Sequence, residues 1–215
     1  MRPRRTQLLC VTGTFLAVLP LACGSDHDSK QSSVAVPSDL RVTLERQMCF
    51  GECPVYTVSV DSSGSVNFEG IRFVETTGRA AGAVSQEKLA ALVNAFQESG
   101  FLSLQDCYLP ALFGGGDRCG EEDCSNWYWD AATVITSFQA NGVLKRVVHY
   151  HGCEVTDLER LYQLETAIDE TLDTCQWIGR DSYFCSTLAK QSNSRFEPTA
   201  QQPLPTTRGS SAQRW

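Results

Sequence analysis

Hydrophobic and polar residues alternate along three segments in the first half of the chain. The alternating segments are Leu40, Val42 and Leu44; Val55–Val60; and Val66 with Phe68. Successive side chains of a β-strand point to opposite faces, so this period of two predicts three strands with one buried face. Residues 61–64 form a turn between the second and third strands, and residues 71–76 could add a further short strand.

Two later segments have the helical period instead. Ser85 is expected to cap a helix that ends near Gly100, and its apolar stripe is Leu89, Leu92, Val93 and Phe96. The segment Thr156–Glu159 has the form of a capping box and predicts the start of a second helix. The stripe of that helix is Leu158, Leu161, Leu164, Ile168 and Leu172.

A β-hairpin is predicted between the two helices. Thr133–Phe138 is rich in β-branched and aromatic residues, Asn141-Gly142 is a hairpin turn signal, and Val143–Tyr150 is the partner strand. The order β-β-β-α-β-β-α therefore predicts an α+β fold, with a mostly antiparallel sheet and two helices packed on one face.

The N-terminus has the pattern of a secretory signal. Three arginines precede an apolar run from Leu8 to Ala22, and Cys23 follows a small residue at the expected cleavage point. This resembles a bacterial lipoprotein signal, in which acyl chains such as palmitate are attached to the cysteine. A permanent membrane span is not expected, because a spanning helix needs about 20 apolar residues. The ordinary alternative is a signal peptide cut nearby that leaves Cys23 unmodified.

These observations divide the chain into four parts. Residues 1–22 are the predicted signal peptide, and residues 23–38 are a polar tether carrying the lipid. Residues 39–180 form the α+β domain. Residues 181–215 are rich in polar residues and Pro, and we expect them to be disordered. If the host is a Gram-negative bacterium, Gly24 after Cys23 lacks the aspartate that retains lipoproteins in the inner membrane, so the resemblance to lipoproteins implies an outer-membrane location facing the periplasm.

Eight cysteines remain after Cys10 and Cys23 are set aside. An even number in an exported chain predicts disulfides. Cys175 is expected to pair with Cys185, and Cys119 with Cys124 or Cys107; Cys153 and Cys175 flank the second helix and are too far apart to pair. The candidates are Cys49, Cys53, Cys107, Cys119, Cys124, Cys153, Cys175 and Cys185.

The charge balance limits the range of partners. The whole chain has a formal net charge of -7. Loss of residues 1–22 would remove three arginines and leave 15 Lys and Arg residues against 25 Asp and Glu, a net charge of -10. Nucleic acid is therefore not expected as a partner, because phosphate binding needs clustered Lys and Arg. The lipid, and not charge, is expected to hold the protein on a membrane.

The segment from Arg46 to Tyr56 reads RQMCFGECPVY and resembles the R-x-x-C-F-G-x-C-P-x-Y signature of a bacterial family of domains of unknown function. Exported proteins and lipoproteins commonly carry this domain. The resemblance extends over about residues 40–177 and implies a fold and a location. It implies no activity, and the loop 105–129 looks like an addition of this chain.

The strongest candidates for chemistry are two cysteines and two histidines. The favoured role of Cys49 and Cys53 is a disulfide, with each other or with another framework cysteine, that holds a turn. The alternative is that they bind a soft metal such as Cu(I). His149 and His151 would project from one face of a strand and could bind a transition metal with them, or could simply form the polar face of an edge strand. The alternative function is therefore a copper or redox protein that uses the C-x3-C-P motif.

The preferred interpretation is a membrane-anchored envelope lipoprotein with a binding or structural role. An enzyme is the less favoured interpretation, because the sequence lacks the common catalytic motifs, and no cofactor is expected. Trp127, Tyr128 and Trp129 would form a patch for a protein partner if exposed, or pack the loop onto the core if buried. The oligomeric state is left open.

Overall fold

Seven strands form one sheet in the computed structural model of the protein. The structure describes residues 34–113, 119, 124, 126–154 and 158–194. The strand order is β4-β3-β2-β1-β6-β7-β5; neighbours are antiparallel except β5 and β7, which are parallel. The strands are β1 (Arg41–Arg46), β2 (Val55–Asp61), β3 (Ser65–Arg72), β4 (Gly78–Ala83), β5 (Cys107–Tyr108), β6 (Thr133–Ala140) and β7 (Val143–Tyr150).

Four α-helices accompany the sheet within the described residues. The two long helices within the predicted domain are α1 and α2, so the α+β class expected from the sequence is confirmed. The side chain of Ser85 caps α1 as predicted, by accepting a hydrogen bond from the backbone N–H of Lys88. The helices are α1 (Gln86–Glu98), α2 (Glu159–Thr171), α3 (Cys175–Ile178) and α4 (Tyr183–Ser194). No described helix has the length and apolar character needed to cross a bilayer.

The alternating strand residues and both predicted helical stripes meet in one hydrophobic core. Every stripe residue of α1 and α2 is buried, so both helices bury the faces that the sequence indicated. The turn at Asn141-Gly142 has positive φ at both residues, as a type I′ hairpin turn requires. The core strand residues include Val42, Leu44, Tyr56, Val58, Val60, Val66, Phe68, Val134, Phe138 and Val147.

Three details differ from the sequence predictions. The fourth strand lies at Gly78–Ala83 and not at residues 71–76, because β3 itself continues to Arg72. Helix α2 is described from Glu159 with Leu158 as its N-cap residue, whereas the sequence predicted a start at Thr156, which lies outside the described residues. Helix α4 follows residue 180, where the ordered domain was predicted to end.

One row of the sheet determines where the polar residues meet. Arg46 is opposite Tyr56 on β2 and opposite Val134 on β6, and Val134 is in turn opposite His149 on β7. Arg46 continues the inward alternation of Val42 and Leu44 along β1, so its side chain enters the core side of the sheet. The last row of a mostly apolar face therefore carries a guanidinium, a phenol and an imidazole.

Candidate functional site

A buried ion pair joins the end of β1 to helix α2. The Arg46 Nη2 and Nε atoms donate to Oδ2 of Asp169 at 2.6 and 2.9 Å. Tyr56 and Thr174 donate their hydroxyls to Oδ1 of the same carboxylate, the latter at 2.9 Å. All four residues are buried. Asp169 is thus saturated by three donors, which is what a charge removed from water requires.

The Asp169 carboxylate stabilises the protonated forms of both Arg46 and Tyr56. Burial acts to lower the pKa of Arg46, but its interactions with Asp169, Tyr56 and Glu165 together outweigh burial and raise that pKa above the ordinary value. Burial and the same carboxylate raise the pKa of Tyr56 well above 10.0. Arg46 therefore stays charged and Tyr56 stays a hydroxyl donor at any physiological pH.

A second polar cluster lies beside the first. Glu165, one helical turn before Asp169 on α2, contacts two imidazoles with its two oxygens. Oε1 lies 3.0 Å from Nδ1 of His149, and Oε2 lies 2.7 Å from Nε2 of His151. His149 is fully buried, Glu165 is 1% exposed, and the His151 side chain is 23% exposed. We call His149, His151 and Glu165 the His-Glu cluster.

The protonation of the His-Glu cluster follows from its contacts. Burial alone would raise the pKa of Glu165, but its interactions with His149 and His151 outweigh burial and lower that pKa to about 2. Burial lowers the pKa of His151 below 6.5, against the opposing effect of Glu165. The cluster therefore combines an ionised carboxylate with an imidazole that favours its neutral form at neutral pH.

A cleft of about 440 Å³ opens above these groups. His151 and Arg46 reach its wall from the sheet, and Tyr162 reaches it from α2. Helix α4 closes one side, where the Phe184 ring lies 5.0 Å from the Arg46 guanidinium carbon. The remaining lining residues are Tyr128, Glu159, Gln163, Thr166, Thr187 and Leu188.

The eight framework cysteines lie in four pairs whose Cα–Cα distances of 5.1–5.8 Å suit disulfides. Two pairs, Cys49 with Cys53 and Cys175 with Cys185, are those that the sequence favoured, and Cys107 with Cys119 is one of two alternatives. Cys153 does not pair with Cys175. Its partner is Cys124, with the two Cα atoms 5.1 Å apart, a pairing that spacing alone did not indicate.

The structure does not assemble the four-residue metal site that combined Cys49, Cys53, His149 and His151. Cys49 and Cys53 pair with each other in the turn between β1 and β2. In the described part of the chain, the group that could hold a metal ion consists of the two histidines and Glu165. The prediction that both imidazoles face the same way is confirmed, but His149 is fully buried and not part of a polar edge face.

The aromatic segment 127–129 beside the cysteine loop shows both expected arrangements, because one of its rings is packed on the core and the other two are exposed. Trp127 is half-buried and packs on Phe113 and Tyr150. Tyr128 and Trp129 are exposed, and Tyr128 also lines the cleft. The expected lipidation site, Cys23, lies outside the described residues, as do residues 195–215 of the predicted tail.

Sequence reasoning missed Arg46, Glu165 and Asp169 as members of a site. The sequence did contain a signal for the two acidic residues, Glu165 and Asp169. Both fall on the buried face of α2, since Leu161 precedes Glu165 by four positions and Leu172 follows Asp169 by three. Two carboxylates on an apolar stripe must find buried partners, and Arg46 on an inward strand position is the matching cation.

The fold and its polar interior define an α+β domain with paired cysteines and a small cleft. The chain belongs to the family described as Domain of unknown function (DUF6438), whose model matches residues 40–172. The matched segment contains Arg46, Tyr56, Asp169 and the whole His-Glu cluster. No curated protein matches the chain significantly.

Proposed function

We propose that the chain is a bacterial envelope lipoprotein, attached to the outer membrane through lipid on Cys23, and that its domain binds a ligand and is not an enzyme. The observation that carries the binding role is the cleft of about 440 Å³ above buried charged groups. Small-ligand sites commonly have volumes of about 300–1,000 Å³ and a few fixed polar groups.

The N-terminal sequence and the cysteines support the location. Arginines, an apolar run and Leu21-Ala22-Cys23 form the pattern of a lipoprotein signal. Four cysteine pairs suit a compartment in which disulfides persist. The R-x-x-C-F-G-x-C-P-x-Y segment agrees with an exported domain. In addition, its first and last residues, Arg46 and Tyr56, both bind Asp169.

The chemistry of the cleft supports binding more than catalysis. A general base is most effective when its pKa lies near the working pH. The pKa of Glu165 is lowered to about 2, so its carboxylate is a weak base at neutral pH. The Asp169 carboxylate is saturated by its three donors. Glu165 and Asp169 therefore keep a fixed position and a fixed charge, as a preformed binding site requires.

The location is tested by expressing the full chain and its Cys23→Ser variant in a Gram-negative bacterium. We expect the wild type in the outer-membrane fraction, with an N-terminal peptide that begins at an acylated Cys23. The variant should appear in the soluble fraction. A wild-type protein with an unmodified N-terminus at another residue would contradict the proposal.

The binding role is tested on the same purified protein by native mass spectrometry. We expect a bound species that leaves on denaturation and is reduced in a Thr187→Trp variant, because Thr187 lines the cleft and a larger side chain would fill it. Ser186→Trp on the exposed side of α4 is the matched control. Wild-type protein that carries no bound species, or equal loss in both variants, counts against the role.

A further inference from the structure

We propose that the His-Glu cluster binds one divalent transition-metal ion, for which Zn²⁺ is the probe. The inference deepens the binding role proposed above, because it names the class of ligand. His149 and His151 come from the end of β7, and Glu165 comes from the facing turn of α2. The cysteine pair Cys49–Cys53 takes no part.

The distances suit a single ion. The three candidate ligand atoms all lie within 4.8 Å of one another, with contacts of 3.0 and 2.7 Å from Glu165 to the imidazoles. Zinc bonds to nitrogen and oxygen are about 2.1 Å long, so neighbouring ligands of a tetrahedral site are roughly 3.4 Å apart. Ligand atoms up to 4.8 Å apart would have to approach by up to about 1.4 Å to reach this spacing, so side-chain movements of that order would admit an ion.

The donor set is also selective. Imidazole nitrogens favour zinc, copper, nickel and iron, whereas calcium and magnesium prefer sites built from oxygen alone. Two imidazoles and one carboxylate leave a fourth position open, as in zinc sites that bind an external ligand. His151 borders the cleft, so water or a ligand can reach that position.

Charge and hydrogen bonding favour a cation here. The joined polar network contains two buried carboxylates, Glu165 and Asp169, but only one buried guanidinium, Arg46, which Asp169 already pairs. The Glu165 carboxylate is therefore left without a guanidinium partner among the described residues, and it would attract a cation bound between the imidazoles.

His149 supplies an independent observation. Its Nδ1 contacts only Glu165, and its Nε2 is buried without a hydrogen-bond partner among the described residues. A ring tied down by one contact at Nδ1 can exchange its contact with Glu165 for a metal bond without breaking any other hydrogen bond.

The test is isothermal titration of Zn²⁺ into full-length, chelator-treated protein that retains its N-terminal lipid in detergent. We expect one ion per chain. His151→Ala and Glu165→Gln should each weaken binding at least tenfold, which is about 1.4 kcal/mol. Glu165→Gln keeps the size of the side chain, so it reports on the ligand if His151→Ala does not fold. His27→Ala, which replaces the remaining histidine of the chain, should bind as the wild type does.

Two outcomes would overturn the metal site. One is wild-type protein that takes up no stoichiometric Zn²⁺. The other is folded His151→Ala and Glu165→Gln proteins that bind it as tightly as the wild type. Neither result would affect the proposed location, which fails separately if Cys23 is not acylated. Conversely, a soluble, unmodified protein that still binds Zn²⁺ at these residues would contradict the anchor and leave the metal site standing.

Discussion

At the scale of single residues, the buried pair Arg46–Asp169 is the strongest constraint on the interior. Its contacts reach 2.6 Å, and both side chains are almost completely buried. Breaking such a pair from one side leaves an uncompensated charge out of water and costs about 3–5 kcal/mol. Replacing both members with uncharged groups costs much less than the two single losses combined.

A double-mutant cycle measures this coupling. We predict that Arg46→Met and Asp169→Asn each lower the free energy of unfolding by about 3 kcal/mol or more. The double variant should lose less than the sum of the two, because it leaves no buried charge unpaired. Urea unfolding of the four proteins gives the comparison. Strictly additive losses would show that the two side chains act independently.

At the scale of elements, Asp39 fastens the start of β1 to the hairpin between β6 and β7. Its carboxylate accepts hydrogen bonds from the backbone N–H groups of Asn141 and Gly142 at 2.8 and 2.7 Å. The bonds from Gly142 and Asn141 lower the pKa of Asp39 below its ordinary value of 3.8.

The lowered pKa gives a definite pH dependence. The unfolded state binds a proton at Asp39 more readily than the folded state, so the contribution is complete above about pH 4 and is lost as pH falls through the folded pKa. We predict that Asp39→Asn lowers the urea midpoint at pH 6 and that the difference from the wild type disappears near pH 2. A difference that persists unchanged at low pH would show that it does not come from the ionised carboxylate of Asp39.

The cysteine pairs also act between elements, and they are not equivalent. Cys124–Cys153 closes a separation of 29 residues between two buried positions, whereas Cys49–Cys53 closes a separation of 4 in a half-buried turn. Loop-closure entropy gives about 3.6 kcal/mol for the first and about 1.9 kcal/mol for the second.

Replacing both cysteines of one pair at a time tests this ranking of the stabilisation that each disulfide contributes. Changing Cys124 and Cys153 together to Ala should lower the unfolding midpoint of oxidised protein more than changing Cys49 and Cys53 together. Thermal unfolding followed by circular dichroism measures both variants under the same conditions. An equal or larger loss for the Cys49 and Cys53 variant would show that the turn contributes more than its loop length indicates.

At the scale of the whole molecule, periodicity predicted the elements that bury a regular apolar face. Strand β4 escaped prediction because its sequence, Gly78–Ala83, has no large apolar residue. Its place depends on tertiary packing, since a Cβ on Gly82 would lie 3.1 Å from the ring of Trp177. Helix α4 was missed for a related reason: the contact of Phe184 with Arg46, which helps to hold the helix, joins residues far apart in the sequence.

The sequence predicted only the histidine half of the candidate site, because the other half also depends on contacts between distant parts of the chain. The two-residue spacing of His149 and His151 placed them together on a strand, which is a local rule. Glu165 meets them only because α2 packs across the end of β7, and no local pattern sets the register of that helix on the sheet. The cysteine motif drew attention to a metal site because of its spacing, but its two thiols satisfy each other.

The central claim, that a ligand site is built where α2 crosses β7, is tested most directly by anomalous X-ray diffraction. Crystals of the protein grown with Zn²⁺ would be measured above and below the zinc absorption edge. The account predicts one strong difference peak within about 2.1 Å of Nδ1 of His149, Nε2 of His151 and a carboxylate oxygen of Glu165. A crystal that holds zinc elsewhere, or shows these three side chains still bonded only to each other, would contradict it.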